Sequence, residues 1–227
     1  MNIELEYKPA HTLAVVDMQP GEQIRAEAGA MVSMRGDVSI QTGGPKEKRG
    51  LLKRLKRTVL SGETFFTNTF HTNQSAGRIT FAPKLCGDMV VHHLSSDHEL
   101  MIQGSSYVAA PDSVQLDTKW QGFRKLFSGE SLFFLRAFGQ GPVIINAFGA
   151  ISHKDLQNET LILDTGHMVA FTSGLQYRVR KASSGWISSF LSGEGFVLEL
   201  SGTGRVYMQT RNPSDYGQYV GSKLPPR

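Results

Sequence analysis

Short runs in which apolar and polar residues alternate, separated by glycine-rich turns, recur along the whole chain. Three of them have the form of a hairpin, in which an apolar strand, a polar turn and a second alternating strand follow one another: residues 31–40, 107–116 and 168–177. Three further strands each begin with glycine: residues 77–81, 141–145 and 204–208. Alternation with a period of two is typical of strands that have one buried face. The pattern therefore predicts an all-β protein.

The tripeptide Ser-Gly-Glu lies between the hairpin and the last strand in each third of the chain. An apolar or aromatic residue precedes each copy, β-forming residues follow it, and the copies occupy residues 61–63, 128–130 and 192–194. Successive copies are 67 and 64 residues apart, and a regular period indicates repeated structural units. We therefore predict three related units, at residues 1–83, 84–150 and 151–213, followed by an irregular tail at 214–227.

The segments that precede the three tripeptides are predicted to be short connector helices: residues 50–60, 122–127 and 185–191. In the first of them Leu51, Leu55 and Val59 fall at helical spacing, and Gly62 suits a helix C-cap with positive φ. A unit of about 65 residues without a disulfide buries too little surface to be stable alone. We expect the three units to pack as one body.

The composition agrees with a globular protein in a reducing compartment. Of the 227 residues, 40% are hydrophobic and 19% are charged, which is enough apolar material for a core. Cys86 is the single cysteine, so no intrachain disulfide can form. Free cysteine is among the residue types that are most often buried, so we predict that Cys86 is buried. The first residues alternate apolar and acidic positions and do not form a signal peptide. Because no uncharged stretch reaches the ~18 apolar residues of a membrane helix, we expect a cytoplasmic protein without a transmembrane segment.

Basic residues are concentrated in an insertion at residues 44–58, which we call the cationic segment. Seven of them lie there: Lys46, Lys48, Arg49, Lys53, Arg54, Lys56 and Arg57. With one acid, Glu47, the segment carries a net charge of +6, whereas the whole chain carries +4, so the remainder sums to −2. Interleaved leucines would allow a short amphipathic helix that lies on anionic lipid or contacts phosphate backbones. The alternative is a solvated insertion without a partner.

The repeated glutamates form a second group of candidate residues. In three related units they would occupy equivalent places, each after a glycine: Gly62 and Glu63, Gly129 and Glu130, Gly193 and Glu194. Converging carboxylates could raise one another's pKa or hold a hard cation. In the structural alternative each glutamate accepts backbone N–H bonds or pairs with a cation, for which the candidates are Arg78, Arg136 and Arg205.

No catalytic set is recognisable in the sequence. His92, His93 and His98 form the only histidine cluster, but period-two alternation sends His92 and His93 to opposite faces of a strand, which is poor geometry for chelation. The chain contains no Gly-x-Ser-x-Gly nucleophile motif and no Gly-x-x-x-x-Gly-Lys phosphate loop. We expect no enzymatic activity, no cofactor and no metal.

Three ordered Ser-Gly-Glu copies followed by phenylalanine-rich strands, with Gly-Leu-Leu-Lys-Arg-Leu-Lys-Arg at residues 50–57, resemble the altered-inheritance-of-mitochondria family. The resemblance extends from Ile3 to about Pro213. It implies three fused, shortened double-stranded β-helix units, similar to the tryptophan RNA-binding attenuation protein (TRAP-like), and an assembly of subunits. It implies no established reaction.

These observations favour a non-catalytic binding or scaffold protein that forms homo-oligomers. Its cationic segment would bind an anionic partner, either a membrane surface or a nucleic acid. The alternative is a small-ligand or metal-dependent sensor or enzyme that uses a pocket between the units, near Glu63, Glu130 and Glu194. The sequence does not decide between the membrane and the nucleic acid.

Overall fold

The structure is a computed structural model that describes residues 1–42, 59–60, 63–64, 67–117, 133–181 and 196–225. Strands dominate these residues, as the alternating pattern predicts. Their bounds in chain order are β1 (Asn2–Glu6), β2 (Leu13–Met18), β3 (Gln23–Glu27), β4 (Met31–Thr42), β5 (Val59–Leu60), β6 (Glu63–Thr64), β7 (Thr67–Phe81), β8 (Met89–Leu94), β9 (Leu100–Gln103), β10 (Tyr107–Pro111), β11 (Val114–Asp117), β12 (Phe134–Gly139), β13 (Gly141–Asn146), β14 (Ile151–Asp164), β15 (Met168–Thr172), β16 (Leu175–Lys181) and β17 (Phe196–Gln209). A 3₁₀ turn precedes β10 and another precedes β15, and α1 (Pro213–Gly221) follows β17.

The strands form two large antiparallel sheets. The first has eight strands in the order β1-β2-β7-β3-β10-β13-β8, with β4 on the free edge of β7. The second has seven strands in the order β11-β12-β9-β15-β17-β14, with β16 paired to β17. Each sheet therefore contains strands that lie far apart in sequence, and the middle of the chain contributes to both.

Long strands organise each sheet. β2 and β3 pair with one edge of β7, while β4 follows the other edge. In the same way β14 follows one edge of β17, while β15 and β16 pair with the other. In the middle of the chain two shorter strands take the place of one long strand. β13 pairs with β8 and β10 in the first sheet, and β12 pairs with β9 and β11 in the second.

Three groups of buried side chains form the core. One is built around Phe70 and Phe81, whose rings meet edge to face at 5.6 Å, and it also contains Ile144 of β13. A second group joins Ile102 and Leu135 to Tyr207 of β17. The third surrounds Phe134 and Phe171, with Leu198 and Leu200. Core groups thus connect strands from different thirds of the chain.

Adjacent phenylalanines place aromatic rings in two different groups, as alternation along a strand requires. Phe134 is fully buried in the third group, whereas the preceding Phe133 packs against the second. The two rings of this pair are therefore covered on opposite faces of the chain.

The predicted connector helix at residues 50–60 is wrong at its end. Val59–Leu60 and Glu63–Thr64 are strands β5 and β6, and Leu60 lies opposite Glu63 in an antiparallel pair. Two residues separate these strands in the sequence, which is the spacing that hairpins favour. The remainder of this connector and the predicted helices at 122–127 and 185–191 lie outside the described residues.

The chain after Pro213 is helical and not irregular, so the predicted tail at 214–227 is wrong for residues 214–221. The side-chain oxygen of Asn212 accepts a hydrogen bond from Ser214 N at 2.9 Å, and Pro213 occupies the first turn. Both are standard signals of a helix start, and they outweigh Gly217 and Gly221. The ring of Tyr216 packs against Phe148 at 5.2 Å, which attaches α1 to the sheets.

Cys86 is exposed, so the prediction that it is buried is wrong. Its neighbour Gly87 is buried instead, beside Ala147 and Gly149. The backbone of this loop packs so closely against residues 147–149 that only a residue without a side chain fits inside, and the cysteine side chain is left on the outer surface.

Candidate functional site

The cationic segment closes the β4–β7 hairpin. Thr42 at the end of β4 lies opposite Asn68 near the start of β7, so the intervening chain leaves and re-enters the same ladder. The seven cationic residues predicted as an anion-binding site lie outside the described residues: Lys46, Lys48, Arg49, Lys53, Arg54, Lys56 and Arg57. What the structure provides is their point of attachment, at the end of a long antiparallel ladder.

The other two connectors are attached in the same way. Asp117 of β11 lies opposite Arg136 of β12, and Lys181 of β16 lies opposite Phe196 of β17. The chain between β11 and β12 and the chain between β16 and β17 therefore also close hairpins at a ladder end.

Of the repeated glutamates, Glu63 is a residue of β6. Five of the six repeated glycines and glutamates lie outside the described residues: Gly62, Gly129, Glu130, Gly193 and Glu194. Convergence of the three carboxylates therefore stays a prediction.

The three arginines suggested as partners of these glutamates pair with other carboxylates. Arg78 donates two hydrogen bonds to Asp17, at 2.6 and 2.7 Å, and Arg205 donates two to Asp155, at 2.6 and 2.8 Å. Arg136 binds Glu99 in the same two-pronged way, with its Nε at 2.8 Å from one carboxylate oxygen. Each arginine has a carboxylate on the neighbouring strand or in the adjacent loop, where its planar group matches both oxygens, and pairing with the repeated glutamates stays a prediction.

Two of these pairs occupy matching positions. Asp17 lies directly opposite Arg78 in the β2–β7 ladder, and Asp155 lies directly opposite Arg205 in the β14–β17 ladder. Hydrogen bonds from the arginines hold the pKa of both aspartates below its usual value. In the β8–β13 ladder the corresponding pair is His93 and Pro142, so the middle of the chain lacks the ion pair at this place.

Sequence reasoning found the arginines but missed their partners. Asp17 lies on β2 and Asp155 on β14, 61 and 50 residues away from the arginine that each of them binds. The signal was an acid at a polar position of that strand in the first and last thirds of the chain. The pairing of this acid with the arginine can be recognised only when the register of the two strands is known.

His92 and His93 project to opposite faces of β8, as the alternation predicts. His92 is half-buried, and its Nδ1 lies 2.8 Å from the hydroxyl of Tyr207, whereas His93 is exposed. Burial lowers the pKa of His92 below its ordinary value, with a smaller contribution from the charge of Arg205. Among the described residues no group of three His, Cys, Asp or Glu side chains could hold a metal ion.

A cavity of about 350 Å³ lies between the two sheets, with Phe133, Asn146 and Gln209 in its wall. Its amides are occupied by the protein's own backbone. Gln209 accepts a hydrogen bond from Phe148 N at 2.9 Å and donates one to Gly166 O at 2.8 Å. The amide of Asn146 is placed to donate to Ser105 O and Ser106 O in the turn before β10. The two amides thus tie the turns before β10 and β15 to the ends of neighbouring strands.

The described side chains thus define an all-β protein of two antiparallel sheets whose paired charges and buried amides hold strands together. The sequence profile described as Mitochondrial biogenesis AIM24 matches residues 3–211. The chain belongs to this family, and the resemblance to the altered-inheritance-of-mitochondria proteins is confirmed.

Two proteins of Streptococcus pyogenes are similar over nearly their whole length. One, from serotype M6, is described as an uncharacterized protein and is 26% identical over 230 residues, which cover 99% of this chain and 92% of that protein. The other is the crystal structure of protein SPYM3_0169, with a TM-score of 0.78 and 24% identity, covering 98% of this chain and 99% of that one. This second likeness shows the fold alone.

Within the part of the chain that the structure describes, no helix is long and apolar enough to cross a membrane.

Proposed function

We propose that this protein is a non-catalytic, homo-oligomeric scaffold that uses its cationic segment to bind an anionic membrane surface. One observation carries the proposal, the segregation of charge along the chain: the segment has a net charge of +6 and the remainder −2. A strongly positive segment on a body of small opposite charge concentrates the attractive field at one place.

The ion pairs of the sheets support this assignment. Many basic side chains of the described residues already have an acidic partner: Arg25 with Asp112, Arg78 with Asp17, Lys84 with Glu27, Arg136 with Glu99, Lys154 with Glu159, Arg180 with Glu199 and Arg205 with Asp155. The two opposite charges of such a pair largely cancel at a distance, and salt screens what remains within about 10 Å. The cationic segment, with a single acid among its residues, has no comparable internal compensation.

A membrane is favoured over a nucleic acid by the apolar residues of the three connectors. Leu51, Leu52 and Leu55 interleave with the cations of the first. The connector between β11 and β12 contains Trp120, and the one between β16 and β17 contains Trp186. Leucine beside basic residues suits the headgroup boundary, and tryptophan is enriched at membrane interfaces.

We also propose that the sheets consist of three fused TRAP-like units, which would place the three connectors at equivalent positions. The pairing pattern supports this. In each third of the chain a bulged strand follows one edge of a ladder, with the bulges at Met31/Ser33, Tyr107/Ala109 and Met168/Ala170. A bulge re-aims its strand, so repeating it repeats the local curvature.

Binding to vesicles tests the functional proposal. The native chain is expected to sediment with vesicles that contain phosphatidylglycerol and to stay in solution with phosphatidylcholine vesicles. The variant Lys53→Gln/Arg54→Gln/Lys56→Gln/Arg57→Gln should bind the anionic vesicles on the order of 10²–10³-fold more weakly, since each cation near the surface contributes about 1 kcal/mol. Raising the salt from about 50 mM to about 500 mM should weaken native binding, because screening shortens the field.

A matched control removes four charges from the body of the protein. The variant Arg25→Gln/Lys84→Gln/Lys154→Gln/Arg180→Gln loses as much charge but keeps the cationic segment, so it should bind the vesicles much more tightly than the segment variant. Equal losses in the two variants would mean that net charge alone governs binding. Tight binding to single-stranded RNA, with none to the vesicles, would replace the membrane by a nucleic acid as the partner.

A further inference from the structure

Another cavity, of about 830 Å³, lies beside α1 and opens to the surface. We call it the α1 groove. Its walls come from the loop after β1, the loop before β8, the chain between β13 and β14, the turn before β15, and residues 210–219. Pockets for small molecules commonly enclose about 300–1,000 Å³ and are lined by apolar and aromatic side chains with a few polar groups. The size of the α1 groove therefore suits a small-molecule ligand.

Backbone contacts fix the floor of the groove. Gly149 N donates to Cys86 O at 3.1 Å, and Arg211 N donates to Phe148 O at 3.3 Å. A Cβ atom at Gly149 would lie 3.0 Å from Cγ of Arg211, so glycine at this position lets the stem of the arginine lie against the floor. The walls are thus tied to one another by the protein itself, and the groove is pre-formed.

Three polar side chains of the wall offer a ligand different chemistry. Nδ1 of His167 lies 2.7 Å from Gln209 O, and because a carbonyl only accepts, Nδ1 carries the hydrogen and Nε2 of the neutral ring is an acceptor. Arg211 donates to Thr210 O at 3.3 Å, which uses one of the five donors of a guanidinium. Asp215 supplies a carboxylate. Among the described residues neither Arg211 nor Asp215 has an ion-pair partner.

Aromatic rings form the side of the groove next to α1. The ring of Tyr216 is tilted by 59° against that of Phe148, and Tyr216 is 51% exposed. Tyr219, one helical turn further on, is 67% exposed, with the ammonium group of Lys223 at 5.8 Å from its ring centroid. Exposed tyrosine rings are platforms on which flat ring systems stack.

We propose that the α1 groove binds a ribonucleoside monophosphate. Arg211 suits the phosphate, because a guanidinium donates to two of its oxygens at once. Asp215 suits the ribose, whose hydroxyls donate to a carboxylate. Nε2 of His167 accepts an N–H of the base. The tyrosine rings of α1 stack on the same base.

The combination of these groups selects this ligand over simpler ones. An aromatic carboxylate would satisfy Arg211 but would give the carboxylate of Asp215 no donor. A sugar phosphate would satisfy both charges but would leave Tyr216 and Tyr219 uncovered. A nucleotide has a counterpart for each of them. The proposal goes beyond the scaffold function and does not depend on it.

Calorimetric titration of the full chain with AMP, adenosine and ribose 5-phosphate tests the proposal. AMP should bind with one site per chain, and adenosine should bind on the order of 10–100-fold more weakly, as expected for the loss of charge-assisted hydrogen bonds. Arg211→Gln should weaken AMP by the same factor and leave adenosine unchanged, because the same interaction is then missing twice. The control Arg180→Gln removes a cation that pairs with Glu199 outside the groove, and it should bind AMP like the native chain.

Cys86 reports where the nucleotide binds, because it is the only cysteine of the chain and lies in the wall of the groove. AMP should slow the alkylation of Cys86 by iodoacetamide in proportion to the fraction of chain that is occupied. The variant Lys53→Gln/Arg54→Gln/Lys56→Gln/Arg57→Gln should keep both the affinity and the protection. A phosphate held by the cationic segment would lose affinity in that variant and would not protect Cys86.

His167→Asn adds a test of the base. The asparagine amide can still donate to Gln209 O but removes the acceptor Nε2, so AMP should bind more weakly while ribose 5-phosphate is unaffected. If circular dichroism shows that a variant does not fold, the comparison of AMP with adenosine and ribose 5-phosphate on the native chain decides, because it needs no substitution.

Three results would overturn the proposal. They are no binding of AMP, GMP, CMP or UMP at about 1 mM, binding that leaves the alkylation of Cys86 unchanged, and undiminished AMP affinity in Arg211→Gln. All titrations are made without lipid, so their failure leaves vesicle binding by the cationic segment as a separate result.

Discussion

Replacing Phe134 by alanine is expected to lower the free energy of unfolding by about 3–5 kcal/mol, the range for a large aromatic side chain removed from a core. The ring is fully buried and meets Phe171 edge to face at 5.2 Å and Tyr177 at 5.7 Å. Its loss removes the centre of the third core group, where β12, β15 and β16 meet. Urea denaturation followed by circular dichroism measures the change.

Tyr219→Ala provides the comparison, because this aromatic residue lies on α1 and is exposed. It should change the free energy of unfolding by no more than about 0.5 kcal/mol. A loss below about 1 kcal/mol for Phe134→Ala would mean that this ring is not part of a packed core.

Gly87→Ala is expected to cost at least about 3 kcal/mol or to prevent folding, as overpacking against rigid backbone does in the severe cases. A Cβ atom at this position would lie 1.8 Å from the carbonyl oxygen of Ala147 and 2.9 Å from Gly149 N. Neither neighbour can rotate away, because Gly149 N donates to Cys86 O at 3.1 Å and Asp88 N donates to Gly149 O at 2.8 Å. The thermal unfolding midpoint and the yield of folded protein measure the effect.

Gly217→Ala in α1 is the matched substitution. A Cβ there meets nothing within 4 Å, and alanine is favoured over glycine in a helix by about 1 kcal/mol, so stability should be unchanged or slightly higher. If Gly87→Ala were equally harmless, the close contact between residues 86–88 and 147–149 would not exist.

The strands were predictable because their hydrophobic period is local. The strands predicted at 107–116 and 168–177 are β10 with β11 and β15 with β16, and the segment 31–40 lies within the single strand β4. The hairpins predicted there are wrong, because β10 does not pair with β11, β15 does not pair with β16, and β4 continues without a turn. A period-two run is recognisable without longer-range information, but which faces are covered is not, because β10 and β15 are buried on both faces.

Glycine was more difficult to interpret. Gly77 and Gly204 suggested the starts of strands after turns, yet both lie inside the long strands β7 and β17. A Cβ on Gly77 would lie 2.4 Å from the side chain of Val38, and one on Gly204 would lie 2.5 Å from the hydroxyl of Thr172. Glycine permits a close approach of the neighbouring strand at both positions, and the sequence alone does not separate this use from a turn.

The candidate site was harder to predict from the sequence than the fold. The charge of the cationic segment is a property of composition and can be counted, whereas the partners of Arg78 and Arg205 depend on which strands become neighbours.

Calorimetric unfolding tests most directly whether the three proposed units share one interior. Core groups that join Phe70 to Ile144, and Ile102 to Tyr207, couple neighbouring thirds of the chain. A single transition is therefore expected, with a ratio of calorimetric to van't Hoff enthalpy of about 1. Two or three separate transitions, with a ratio of about 2 or more, would show independent domains and contradict a common core.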